Sequence, residues 1–255
     1  MTLKNTNNHT VIGMCCYSME NLWGQRVKVF DEPYFSKRLS LFENITLRSL
    51  DAQTEKNFVL LIYHSDKCPA DKRLIFKKLA DKHPYLVNVF IKGAKMTVPA
   101  KYQATPLFTF RLDNDDGFPN DFIARLNQAY HKLSQQKAPD TVITCPPIFK
   151  VGKLGEDKFL VKKGDFYSNS IGITLYSHTK TTMRDLGNHA KVNERFPMEV
   201  MPGQGGLQIL HDSNVMNGVN GFSGKEVDGK ELLNLLAELG YPPIDLAKLP
   251  LYEKR

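Results

Sequence analysis

Thr105 to Phe122, TPLFTFRLDNDDGFPNDF, is a short apolar run that ends in carboxylates. Leu107, Phe108, Phe110 and Leu112 have the composition of a buried strand, and Asp113, Asp115 and Asp116 follow at once, ahead of a turn rich in Gly and Pro. The pattern predicts a strand with an acidic tip. Alternation along an extended chain puts Asp113 and Asp115 on one face and Asp116 on the other, provided that the strand continues through Asn114. Carboxylates this close repel unless a cation or a proton lies between them, and hard divalent ions such as Mg²⁺ take oxygen ligands with substrate phosphates completing the shell. One reading is therefore a metal held against a diphosphate. The other is a solvated turn, because Asp, Asn, Gly and Pro are also turn residues. D-x-D alone does not choose between them. An EF-hand fits less well, since Gly117 and Phe118 stand where its loop needs Asp or Asn and then Gly.

Toward the N-terminus, Val11 to Met19 (VIGMCCYSM) reads as a buried strand. Leu39, Phe42, Ile45 or Thr46, and Leu50 recur at helical spacing, and Phe58 to Tyr63 (FVLLIY) is a continuous apolar run of the kind a parallel sheet buries on both faces. Pro69 opens a second helical pattern through Ile75 and Leu79, and Leu86 to Ile91 is a third strand. Past the tip, Asn120 is the expected N-cap of a helix whose inner face is Phe122, Leu126, Tyr130 and Leu133. Strands and helices alternate, so the first half is α/β, with the acidic tip at the carboxyl edge of a strand, where open α/β sheets bind ligands.

The second half is β-rich. Thr141 to Cys145, Ile148 to Val151, Phe159 to Val161 and Ile171 to Tyr176 are short strand candidates. Residues 180–202 have no clear period and are expected to hold one short helix among loops, which at that length are commonly functional. Leu207 to Leu210 runs into the polar HDSNVMNG, and an amphipathic helix over Glu231 to Leu239 ends at Gly240.

The net charge of +7 favours anionic partners, but Lys and Arg are dispersed and no zinc-finger or RRM-type motif accompanies them, so nucleic acid is not an expected partner. Four cysteines show no metal-binding spacing. The start of the chain is polar and the longest strongly apolar run is too short to cross a bilayer, which predicts a soluble, cytoplasmic protein.

The ordered segments FSKRLSLFENITLRSLDAQTEKNFVLLIYHSD, FRLDNDDGFPNDFI, GNH and LQILHDSNVMNG resemble the putative rhamnosyltransferases, glycosyltransferases of GT-A type. The likeness runs over most of the chain, and Ser49-Leu50-Asp51-Ala52-Gln53-Thr54 is similar to the turn that precedes the second strand in GT-A enzymes at large. The resemblance implies a GT-A-like, mostly parallel sheet flanked by helices. It also implies one domain over 1–255, with 1–135 as the nucleotide-sugar half and 136–255 as the acceptor half. The activity it implies is transfer of a sugar, rhamnose by the family's name, from a nucleoside-diphosphate donor to a hydroxyl on a glycan or lipid-linked saccharide.

By the same resemblance Cys16, Tyr17, Ser18, Ser65 and Asp66 border the nucleoside, and Arg38 and Arg111 are phosphate partners. Asp113 and Asp115 hold ribose and metal, Mn²⁺ or Mg²⁺, with Asp115 and His211 as the metal ligands and Asp116 as a third carboxylate of the tip. An inverting transfer needs a general base; Asp185, Glu194 and Asp212 are candidates, Asp185 being preferred, whereas a retaining transfer needs none. His189 in GNH reads more simply as a loop histidine than as an acceptor or phosphate ligand. The basic surface fits peripheral contact with an anionic membrane. A nucleotidyltransferase would share core and tip but needs a Gly-rich loop after the first strand, where CCYSME stands. A metal-dependent nuclease and a non-catalytic nucleotide- or sugar-binding protein are the remaining alternatives.

Overall fold

The computed structural model describes residues 11–19, 29–164, 171–187, 189–211 and 223–252. The first half contains β1 (Val11–Ser18), β2 (Phe58–Ser65), β3 (Leu86–Ile91) and β4 (Leu107–Leu112), followed by the two-residue β5 (Asp116–Gly117). Its helices are α1 (Tyr34–Leu41), which continues through a π-helical stretch (Phe42–Leu47) into α2 (Arg48–Asp51), then α3 (Ala70–Lys82) and α4 (Phe122–Gln135). The second half holds β6 (Thr141–Thr144), β7 (Ile148–Gly155), β8 (Lys158–Gly164), β9 (Thr174–Ser177), β10 (Met198–Val200), β11 (Leu207–Leu210), β12 (Lys225–Val227) and α5 (Gly229–Glu238).

The strands form two sheets, a seven-stranded one ordered β10-β6-β9-β4-β1-β2-β3 and a five-stranded one ordered β12-β8-β7-β11-β5. In the larger sheet β4, β1, β2 and β3 are mutually parallel, while β9 runs antiparallel to both β4 and β6. This is the mixed, mostly parallel α/β sheet that the sequence predicts. From β1 the chain steps to β2 and β3 on one side and later to β4 on the other. The crevice at the carboxyl ends of β1 and β4 is thus a topological switch point, the place where such sheets bind ligands.

Apolar composition sets these elements. Every residue of β2 is buried, as its unbroken apolar run requires. At the centre Gly13 lets β1 pass between its neighbours: a Cβ there would lie 2.6 Å from the Phe110 ring and 2.7 Å from Leu60. Phe118 and Phe122 stack at 3.8 Å beneath the tip and close the core on α4. The helix from α1 to α2 serves both sheets. Phe42 and Leu47 join the core of the large sheet, and Leu41 and Ile45 join that of the small one, with Val151, Phe159, Ile209 and Leu236.

Three expectations need correction. The helix after the tip is capped at Asp121, not Asn120, and no side chain closes that cap. Asn120 is held instead by its backbone, whose N–H donates to Gly240 O and whose carbonyl accepts from Thr54 N–H. The strand does not continue through Asn114: β4 stops at Leu112, and Asp116 N–H reaches back to Asp113 O in a turn, so face alternation does not order the three carboxylates. Finally, the segment without period contains the expected short helix, a 3₁₀ helix (His189–Glu194), but then also β10, an edge strand parallel to β6 whose three residues are too few to show a period.

Candidate active site

The tip is the bridge between the two sheets. Asp113, Asn114 and Asp115 carry the chain from β4 in the large sheet to β5 in the small one. There Asp116 pairs antiparallel with Gln208 of β11, and this pairing returns His211, just past β11, to the tip. The Thr46 hydroxyl donates to Asp116 O at 2.8 Å and seats the π-helical stretch against β5, which brings Arg38 of α1 alongside.

Each carboxylate has its own environment. Asp115 Oδ2 accepts from Arg38 Nη1 at 2.9 Å and lies 2.8 Å from His211 Nε2, while Arg38 Nη1 is 3.4 Å from the same imidazole nitrogen. Burial opposes ionisation of Asp115, but Arg38 and His211 outweigh it and hold the carboxyl far below its usual range. Asp113 lies between two other arginines, with Oδ2 at 3.3 Å from Arg111 Nη2 and Oδ1 at 3.3 Å from Arg184 Nη2. Burial raises its affinity for a proton, yet these two guanidinium groups overcome that and keep it ionised. Asp116 is the opposite case: burial, and then the charges of Asp115 and Asp113, push it well above the carboxylate range. The tip therefore carries two carboxylates held ionised, a third whose proton affinity is raised, and three guanidinium cations.

Arg184 is the residue that sequence reasoning missed. Its Nη2 also donates to Met14 O of β1 at 2.9 Å and to Leu112 O of β4 at 3.2 Å, so one guanidinium ties the two strands at the switch point to Asp113. Its side chain is 8% exposed. It sits in the aperiodic segment, and its only sequence signal is a basic residue beside the favoured Asp185.

Among the described residues, several buried polar atoms here have no hydrogen-bond partner: Tyr17 Oη, Nε of Arg111 and Arg184, both amide atoms of Asn114, and Gln208 Oε1. Each such group costs on the order of 1–3 kcal/mol unless something completes it. Their gathering at the ends of β1, β4 and β11 is what a pocket for a polar ligand requires.

The remaining predicted residues lie around this centre. Ser18 is buried, and its hydroxyl lies 2.9 Å from His64 Nδ1, with His64 Nε2 3.0 Å from Asn88 Oδ1. Asn88 Nδ2 donates to Phe76 O, so its oxygen faces His64, Nε2 carries the ring proton, and Ser18 donates to Nδ1. Burial pulls the His64 pKa down to about 4. Cys16 is half-buried, its thiol raised to about 11 by burial, and Tyr17 packs edge-on against Phe42 and Phe76. Ser65 is buried and accepts from Lys67 N–H, while Asp66 is exposed. Asp185 is exposed, and its Oδ2 accepts from both the backbone N–H and the hydroxyl of Thr182 at 2.8 Å. Glu194 ends the 3₁₀ turn. Asp212 lies outside the described residues, as does most of HDSNVMNG.

Asp115 and His211 are the pair that fits a divalent ion. An oxygen and a nitrogen donor converge on one spot, and a cation, the Arg38 guanidinium, already rests against both atoms. Among the described residues no third His, Cys, Asp or Glu joins them, which leaves the rest of a coordination shell to phosphate or water.

A family model described as putative rhamnosyl transferase matches residues 11–221. Among curated proteins none matches. Solved structures with similarity include S. aureus TarS 1–349, at 13% identity and a TM-score of 0.44 over 78% of this chain and 60% of that one. The same protein in complex with UDP aligns at 11% identity and 0.42, over 79% of this chain and 60% of that one. A putative glucose-1-phosphate thymidylyltransferase from Bacillus anthracis, in complex with a sucrose, aligns at 10% and 0.38 over 94% of this chain and 99% of that one. The chain thus spans 60% of the TarS fragment, and at these scores no ligand or residue role transfers from these structures.

Proposed function

Because the chain belongs to the putative rhamnosyl transferase family and is thereby a glycosyltransferase, we propose that the tip between β4 and β5 binds the diphosphate of a sugar nucleotide and presents its sugar to an acceptor hydroxyl. The observation that carries this reading is the set of three arginines, two ionised carboxylates and unpartnered buried polar atoms at the switch point of the sheet. A diphosphate matches that set in charge and in hydrogen-bonding need, since guanidinium forks suit phosphate oxygens.

In this reading Arg111 and Arg184 bind and orient the diphosphate, and Asp113, fixed between them, faces the ribose. Cys16, Tyr17, Ser18, Ser65 and Asp66 surround the nucleoside. Asp115 and His211 hold a divalent ion, Mn²⁺ or Mg²⁺, which when bound neutralises the charge that grows on the leaving diphosphate. Asp185, exposed and next to Arg184 in the chain, takes the proton of the acceptor hydroxyl. The acceptor oxygen then bonds to the sugar's anomeric carbon as the bond to the diphosphate breaks, with inversion. Residues 1–135 supply most of the donor site and 136–255 the acceptor side, Arg184 and His211 reaching back from it. The sugar is rhamnose by the family's name, and the acceptor is a glycan or lipid-linked saccharide. Among the described residues no helix is long and apolar enough to cross a membrane. Access to a lipid-linked acceptor is proposed to be peripheral, which the net charge of +7 favours at an anionic surface.

A thermal-shift screen tests the donor site. A nucleoside diphosphate at about 100 times its Kd adds about 2.7 kcal/mol, which for a chain of this size raises Tm by roughly 5–10 °C. The expected result is such a rise with one of UDP, dTDP, GDP or CDP, dependent on Mn²⁺ and absent with Asp115→Asn. No rise with any of them overturns the reading.

A further inference from the structure

Arg38 stands where a metal would stand. Its Nη1 donates to Asp115 Oδ2 at 2.9 Å and lies 3.4 Å from His211 Nε2, which donates to the same oxygen, so the guanidinium stands beside both atoms that suit the ion and competes with it for Asp115 Oδ2. Two cations at that separation repel strongly in a site this buried, Asp115 being 7% and His211 1% exposed. Arg38 also has somewhere to go. It projects from α1 on a long, flexible side chain that is 14% exposed, toward a tip where Arg111 and Arg184 already offer unpartnered Nε donors.

We infer that Arg38 is the resident counter-ion of the Asp115–His211 pair and exchanges places with the divalent ion, leaving the carboxylate for the donor's diphosphate when the ion arrives. This rests on the donor-site reading above and adds a coupling to it. Without donor, Arg38 keeps Asp115 neutralised and holds metal affinity down. With donor, the released guanidinium has phosphate oxygens to bind, so ion and diphosphate favour each other through one side chain. The same residue thus acts against one ligand and for the other.

One substitution separates this role from a structural one. For Arg38→Met, the Mn²⁺ Kd of nucleotide-free protein, read by electron paramagnetic resonance, becomes tighter by about tenfold or more because a competing charge is gone. At saturating Mn²⁺ the Kd of the nucleoside diphosphate that binds wild type best, among UDP, dTDP, GDP and CDP, becomes weaker by about tenfold, as expected for loss of one charge-assisted contact. The Kd of the matching nucleoside does not change. Arg38→Lys, which keeps the charge, retains wild-type Mn²⁺ affinity and guards against misfolding as the cause. If Arg38→Met weakens both ligands, or leaves Mn²⁺ affinity unchanged, the exchange is refuted. If wild type binds no nucleoside diphosphate the donor-site reading fails instead, while an unchanged Mn²⁺ affinity in the variant still refutes the counter-ion.

Discussion

Two parts of the molecule are built around buried arginines, and they use them differently. At the corner formed by residues 202–205, Arg125 of α4 donates from Nη1 to Pro202 O at 2.8 Å and to Cys145 Sγ at 2.9 Å, and from Nη2 to Gln204 O at 2.6 Å. Its Nε lies 3.1 Å from Asp121 Oδ2. Gln204 Nε2 and the Tyr241 hydroxyl complete neighbouring carbonyls, and Gly203, at φ +99, lets the chain turn close to the guanidinium. Both terminal nitrogens of this arginine donate to neutral protein atoms, and its Nε, beside Asp121, has no hydrogen bond among the described residues, so the cluster is a joint. At the tip, Arg38, Arg111 and Arg184 meet carboxylates, while Nε of the last two, like that of Arg125, has no hydrogen bond. An arginine whose terminal nitrogens are spent on the protein's own neutral groups stabilises it. An arginine held by acids that can change partner is the kind that a ligand can recruit.

Substitutions at the two places should therefore separate stability from binding. Arg125→Met leaves the buried Cys145 Sγ and the carbonyls of Pro202 and Gln204 without their donor and costs about 2 kcal/mol, seen as a drop in Tm of roughly 4–8 °C, with donor Kd unchanged in protein kept folded. A donor Kd that weakens in step with Tm would dissolve the contrast. For Arg184→Met the balance is reversed. Loss of a charge-assisted contact weakens the nucleoside diphosphate by about 10–100-fold, measured by calorimetric titration at saturating Mn²⁺, and Tm falls by less than it does for Arg125→Met. The opposite ranking would make Arg184 a second joint.

His64 gives the smallest effect and belongs with the joints, because both ring nitrogens are partnered between Ser18 and Asn88. Its pKa of about 4 in the folded protein is below the value of about 6.5 for a free histidine, so the unfolded chain takes up the proton first. Its contribution is complete above about pH 6.5 and is lost progressively as the pH falls toward 4. Between pH 7.5 and 5.5 this removes about 1.4 kcal/mol, a fall in Tm of roughly 3–6 °C that His64→Gln should abolish. A slope that persists in the variant would assign the proton uptake elsewhere.

The parallel core was legible because burial on both faces writes itself as unbroken apolar runs. Phe58 to Tyr63 lies wholly within β2, every residue of which is buried. Leu86 to Ile91 and Leu207 to Leu210 also coincide with β3 and β11 to the residue, although Asn88 and Gln208 interrupt them. The pairing of Asp115 with His211, 96 residues apart, came from the family likeness, and no local pattern encodes it. What stayed hidden depends on long-range contact. β5 and β12 are two and three residues long and exist because β11 and β8 pair with them. Arg184 gives no periodic signal, since its position is set by carbonyls of β1 and β4 rather than by its own segment. The acidic tip was visible as composition, but its division into two carboxylates with lowered pKa and one with raised pKa follows from burial and from which arginine reaches which oxygen.

The most direct test of the account is turnover of the donor. Wild type and Asp115→Asn are incubated with Mn²⁺ and, in turn, dTDP-rhamnose and UDP-, GDP- and CDP-linked sugars, with water taking the sugar in place of the acceptor hydroxyl, and released nucleoside diphosphate is measured. The account predicts that wild type consumes one donor class and that the variant loses this activity by about 10³-fold or more, the several kcal/mol of charge neutralisation that Asp115 is assigned. Release at equal rates from both proteins, or from neither with every donor, would contradict it.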